Sequence, residues 1–157
     1  MKQILTEEIF SAPQWMRIIC CVFGLALLLM GVSLLMMKDL PQEIFVVIPF
    51  IFVIVVSMLM YIRLKLIISD SGIHFVGGLK HHGFTWEDIT RIDMCRLGKF
   101  KTPTATIYYL DRKLDIQKGV YLQQEFNRIL SLLEMKVSQE LFTENYQNIR
   151  RQIDPNI

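Results

Sequence analysis

The sequence predicts a helical membrane hairpin followed by a small α+β domain, in which a curled antiparallel sheet or partly open barrel of six to seven strands is capped by a C-terminal helix. Three observations carry that prediction. Two long uncharged apolar runs stand close to the N-terminus, alternating apolar positions replace them from Arg63 onward, and one apolar stripe at helical spacing follows the last alternating segment.

The first run, Ile18 to Met37, reads IICCVFGLALLLMGVSLLMM, and the second, Ile44 to Ile62, reads IFVVIPFIFVIVVSMLMYI. At about 1.5 Å per residue each covers roughly the 30 Å of a hydrocarbon core. The first is too long for a signal peptide, lacks a small-x-small cleavage site and is followed at once by the second. The connecting segment Lys38–Glu43, KDLPQE, is so short that the helices must form an antiparallel hairpin. Gly24 and Gly31 are seven apart and share a face, where the helices are expected to pack closely. Pro49 is expected near the start of its helix, where a missing N–H costs little. With no Asp, Glu, His, Lys or Arg inside either run, the hairpin reads as an anchor rather than an ion or proton path. The loop carries only Lys38, whereas Lys2, Arg17, Arg63 and Lys65 flank the outer ends. Both termini are therefore expected in the cytoplasm, with Trp15 and Tyr61 in an aromatic belt at that face.

The soluble part alternates. Leu64, Leu66 and Ile68 precede the dense turn Ser69-Asp70-Ser71-Gly72; Ile73 and Phe75 restart a strand; Gly77-Gly78 and Gly83 bracket a loop with Lys80, His81 and His82. Phe84 and Trp86 share a face of the next strand, followed by strands from Ile89 to Leu97, Thr104 to Leu110 and Leu114 to Gln117, six in all. Gly72 serves the turn, Trp86 the core, and Asp88 or Glu87 the backbone donors of the turn that follows. Leu122, Phe126, Ile129, Leu130 and Leu133 then mark a helix.

The hairpin, then LIISDSGIHF, FTWEDITRI and a closing LQQEFNRILSLL, resembles small bacterial membrane proteins with pleckstrin-homology-like domains. The chain divides into a cytoplasmic segment 1–17, a hairpin 18–62, a PH-like domain 63–136 and a helical extension 137–157, which the resemblance does not cover and which either extends the preceding helix or folds back as a second one. Such proteins are united by fold rather than by a shared reaction. In eukaryotic relatives a basic first-hairpin loop holds phosphoinositide headgroups; the corresponding loop here, GGLKHHG, offers one lysine.

Chemistry-bearing patterns are sparse. A net charge of +2 in 157 residues argues against nucleic acid. Adjacent His81 and His82 point apart on an extended chain and lack partners for a metal set. Cys20 and Cys21 lie where palmitoylation occurs, but they read first as small apolar residues facing lipid or the partner helix. No nucleophile has a base and no glycine loop suits a phosphate, so neither enzyme nor cofactor nor small-molecule substrate is expected. Lys80, Lys99, Lys101, Arg112 and Lys113 form candidate contacts to anionic lipid headgroups, set against ordinary solvated loop charge. Phe142, Tyr146, Ile149 and Ile153 form an apolar stripe for a protein partner or self-association, set against packing on the chain's own domain. The expectation is a membrane-anchored, non-enzymatic binding module at the cytoplasmic face of a bacterial plasma membrane. The alternative is an immunity protein against a membrane-acting toxin.

Overall fold

Pro13 fixes the start of the first long helix: lacking an N–H itself, it offers its carbonyl to Met16 and Arg17. In the computed structural model, which describes residues 7–37, 41, 44–77 and 80–153, helix α1 runs Gln14–Met36 and α2 runs Ile44–Ile62. Both are long and apolar enough to cross a membrane. Gly24 and Gly31 are the buried positions of α1. A Cβ on Gly24 would lie 3.9 Å from Met58 Sδ, and one on Gly31 would lie 3.4 Å from Ile51 Cγ2. As the position in α1 rises, its neighbour in α2 falls, which is the register of an antiparallel pair. Ser33 and Ser57 donate to the carbonyls of Leu29 and Val53, four residues back, so their hydroxyls are satisfied within the helix. Pro49 lies further in than the sequence suggests. It is the sixth residue of α2, past the turn whose donors are free, and leaves the Phe45 carbonyl without its helical N–H.

The remaining elements are β1 Glu8–Ser11, β2 Lys65–Ile68, β3 Gly72–Gly77, β4 Lys80–Thr85, a 3₁₀ turn Trp86–Asp88, β5 Ile89–Leu97, β6 Thr102–Tyr109, β7 Arg112–Gln117, α3 Gln123–Lys136, a 3₁₀ turn Gln139–Leu141 and α4 Glu144–Ile153. Seven strands make two antiparallel sheets, ordered β1-β2-β3-β4 and β5-β6-β7, and the barrel they suggest stays open. The expected fold class therefore holds. Two details differ. The seventh strand, β1, lies before the helices, in the stretch that reads from sequence as an N-terminal segment. The GGLKHHG stretch is not all loop, since Lys80, His81 and His82 belong to β4.

The chain divides into two compact units, one of residues 1–11, 66–75 and 81–157, the other of residues 12–65 and 76–80. The first has its own core. Phe10 of β1, Leu66 and Ile68 of β2, Ile73 of β3, Ile92 and Met94 of β5, Ile107 of β6 and Phe126, Ile129, Leu130 and Leu133 of α3 all belong to it. Register explains the alternation: Met94 faces Ala105, and Ile107 faces Ile92 on one side and Leu114 on the other. Gly72 is required where β3 begins, because a Cβ there would collide with the Phe84 carbonyl and sit 2.9 Å from Thr85 Cα. The turn before it is closed by Ser69, whose N–H and hydroxyl both reach the Gly72 carbonyl at 3.0 Å.

Candidate functional site

The polar groups of the domain gather in three places. The first is the turn between β4 and β5. Thr85 donates its N–H (2.9 Å) and its hydroxyl (2.8 Å) to Asp88 Oδ2, capping the short 3₁₀ turn. The backbone bond, and then the hydroxyl bond, hold the Asp88 carboxyl below its usual range. Trp86 is half-buried against the core and donates its indole N–H to the Ser69 carbonyl at 3.0 Å, so it ties two turns together.

The second is the basic set. Lys99 and Lys101 lie between β5 and β6, whereas Arg112 and Lys113 open β7. The two turns stand at opposite ends of the eight-residue β6, roughly 26 Å apart. The lysines before β6 and the basic residues after it therefore do not form one patch, and the side chain of Lys80 is outside the described residues. Another residue joins instead: Arg91 pairs with Tyr108 across β5 and β6 and lays its guanidinium 4.3 Å from the ring centre. Arg91, Arg112 and Lys113 then line a hollow of 540 Å³ with Tyr108, Leu110 and Asp111. Arg91 was not legible as part of a site because only strand register brings it there. Leu110, at the tip, is 67% exposed and has a φ of +47°, a conformation that side chains other than glycine adopt at a cost.

The third is the C-terminal return. After α3 the chain does not continue as one helix. It turns through Gln139–Leu141 and meets the edge of β5, where Phe142 bridges Ile92 in parallel and the Thr143 N–H donates to the Ile92 carbonyl at 3.0 Å. The Thr143 hydroxyl donates to Asp93 Oδ1 at 2.5 Å, and that oxygen also takes the Met94 N–H at 2.8 Å. Phe142 and Tyr146 pack ring to ring at 4.7 Å. Glu134 on α3 receives the Tyr146 hydroxyl and Arg150 Nε, both at 2.9 Å. Burial, reinforced by the Glu134 charge, pushes the Tyr146 hydroxyl far above its ordinary range. The stripe Phe142, Tyr146, Ile149 and Ile153 is thus brought together, but as packing. Phe142 and Tyr146 are core residues and Ile149 and Ile153 rest against that core, so the four do not present an open face.

His82 shares a hydrogen bond with the Tyr109 hydroxyl, and Tyr109 stacks on Phe84 at 3.9 Å. That engages His82 with aromatic neighbours, while His81 is exposed on the same strand. Among the described residues, no three His, Cys, Asp or Glu side chains group as metal ligands.

The sequence matches the family model for the bacterial PH domain over residues 4–140. The chain belongs to the bacterial PH domain family. Neither a curated protein nor a solved structure matches it. The family match begins before β1 and so takes in both apolar helices, which makes the hairpin internal to the PH-like domain. PH-like domains are generally binding modules rather than enzymes, and a binding or scaffold role follows for this one at that level. The match ends at residue 140, just before Phe142 and α4.

Proposed function

We propose that this bacterial PH-like protein is a non-enzymatic membrane-anchored module that holds a protein partner at the cytoplasmic face of the plasma membrane. One observation carries the anchoring: α1 and α2 are inserted between two neighbouring strands of one sheet. If the helices cross a bilayer, Ser11 and Lys65 must leave it on the same side, because β1 and β2 pair. That supports a two-span hairpin. A cleaved leader would remove a strand of the domain, and the helices of a soluble core would not leave most of their side chains uncovered, as these do. Lys2, Arg17, Arg63 and Lys65 at that end favour the cytoplasm. The Arg91, Arg112 and Lys113 hollow can add attraction to anionic lipid of about 1 kcal/mol for each basic residue close to the surface. Protection against a membrane-acting toxin remains the rival assignment; it predicts survival that depends on this protein when the toxin is co-expressed.

The test uses cysteine accessibility in intact cells. An impermeant maleimide should label Asp39→Cys, in the connecting segment, and leave Cys95 in the domain unlabelled until the membrane is opened. Labelling of both from outside, or release of the protein by alkaline carbonate, would sink the anchored reading. Crosslinking in native membranes should recover a reproducible protein partner.

A further inference from the structure

Three features of the C-terminal return separate it from ordinary core. All but its first two residues lie beyond the family match, which ends at residue 140. It meets β5 in the manner of an added peptide strand, with a single bridge and one main-chain hydrogen bond, and it seats two aromatic side chains, Phe142 and Tyr146, behind that edge. It also fits imperfectly: Arg150 is only 5% exposed, yet its Nη1 has no hydrogen-bond partner. A cavity of 420 Å³ lies at the same place, lined by Glu134, Phe142, Tyr146, Arg150 and neighbouring polar residues. A buried unpaired guanidinium nitrogen costs free energy that a better-fitting occupant would recover.

We infer that the groove between the edge of β5 and α3 is a peptide-docking site occupied in cis by residues 139–153, and that a partner protein displaces this tail with a segment of the same chemistry. This rests on the binding-module reading above and names its surface. The chemistry of the occupant follows from what the tail would leave behind. The Ile92 carbonyl, Asp93 and Glu134 are all acceptors, and two of them are carboxylates. The groove therefore takes an extended segment with an aromatic residue in the place of Phe142 and a basic side chain in the place of Arg150. An acidic segment is excluded by Asp93 and Glu134.

The experiment keeps the full chain in detergent or nanodiscs and inserts a protease site after Ser138, outside the helices. After cleavage, a fluorescent peptide of residues 139–153, QELFTENYQNIRRQI, is added in excess. The cleaved protein should exchange its tail for the labelled peptide, and the uncleaved protein should bind little. Peptides carrying Phe142→Ala or Arg150→Ala should bind roughly tenfold or more weakly, as for a central anchor. The inference is overturned by a tail that never exchanges, or by a tail whose release abolishes the melting transition, since either makes the segment permanent core. Equal binding to cleaved and uncleaved protein also overturns it, because the peptide would then sit elsewhere. If exchange fails while membrane crosslinking still recovers a partner, the binding-module reading survives and only this groove is lost.

Discussion

At the scale of single residues, Asp88 shows how one carboxylate sets a turn and gives it a pH dependence. Its folded carboxyl is held below the ordinary value of 3.8 by the Thr85 N–H and hydroxyl. A carboxylate with a lowered folded pKa contributes stability that is complete above its unfolded value and is lost as pH falls through the folded one. Asp88→Asn should therefore lower the melting temperature at pH 7, and the gap to the parent should shrink as pH is taken down through 4 toward 2. A gap that is constant across that range would mean that the charge is irrelevant to the cap. Glu8 behaves in the same sense, since its hydrogen bonds to Arg128 hold it low. The sequence made part of this legible, since Asp88 or Glu87 was expected to satisfy backbone donors of the turn, and the Thr85 bonds assign that role to Asp88. Arg91 was not legible, because its neighbour Tyr108 is assigned by pairing rather than by spacing.

At the scale of elements, legibility followed how local the determining contacts are. The second helix spans Ile44–Ile62 as read, being bounded by Glu43 and Arg63. The first begins four residues before Ile18, since Pro13 rather than Arg17 sets its start. β1 escaped notice because EIFS is too short to show a period, and its neighbour β2 begins at Lys65, on the far side of both helices. The apolar stripe of α4 was visible but its destination was not, since the edge of β5 decides where it packs. The glycine face of the hairpin was legible from seven-residue spacing and makes a sharp prediction. At Gly31 a Cβ would meet Ile51 at 3.4 Å, which is tight but tolerable, whereas further atoms would force the helices apart. Gly31→Ala should leave detergent stability within about 0.5 kcal/mol, and Gly31→Leu should cost about 1–3 kcal/mol through overpacking. Equal effects of the two, measured by thermal unfolding in detergent, would show that this face does not pack.

At the scale of the whole molecule, the hairpin is an insertion in a sheet rather than an anchor added to one end of a finished domain. The core draws on Phe10 before the helices and on residues from Leu66 onward; among the described residues, none between 12 and 65 belongs to it. The strands that flank the helices are adjacent, so a short turn can join them. Replacing residues 12–64 by Asn-Gly should give a soluble domain, because that dipeptide suits a two-residue hairpin and a shorter connection costs less closure entropy. The joined chain should be monodisperse and melt in one transition without detergent. Phe10 supplies the control. It is 6% exposed, and its deletion as Phe10→Ala should cost about 3–5 kcal/mol in the joined chain, as for a buried aromatic. If the joined chain aggregates while the parent melts cooperatively in detergent, the domain depends on its helices for more than attachment. If it folds but Phe10→Ala has no effect, β1 is not part of the working core. The expected pair of results, a soluble domain that still needs its first strand, follows from a sheet whose neighbouring strands β1 and β2 lie on either side of the two helices in the chain.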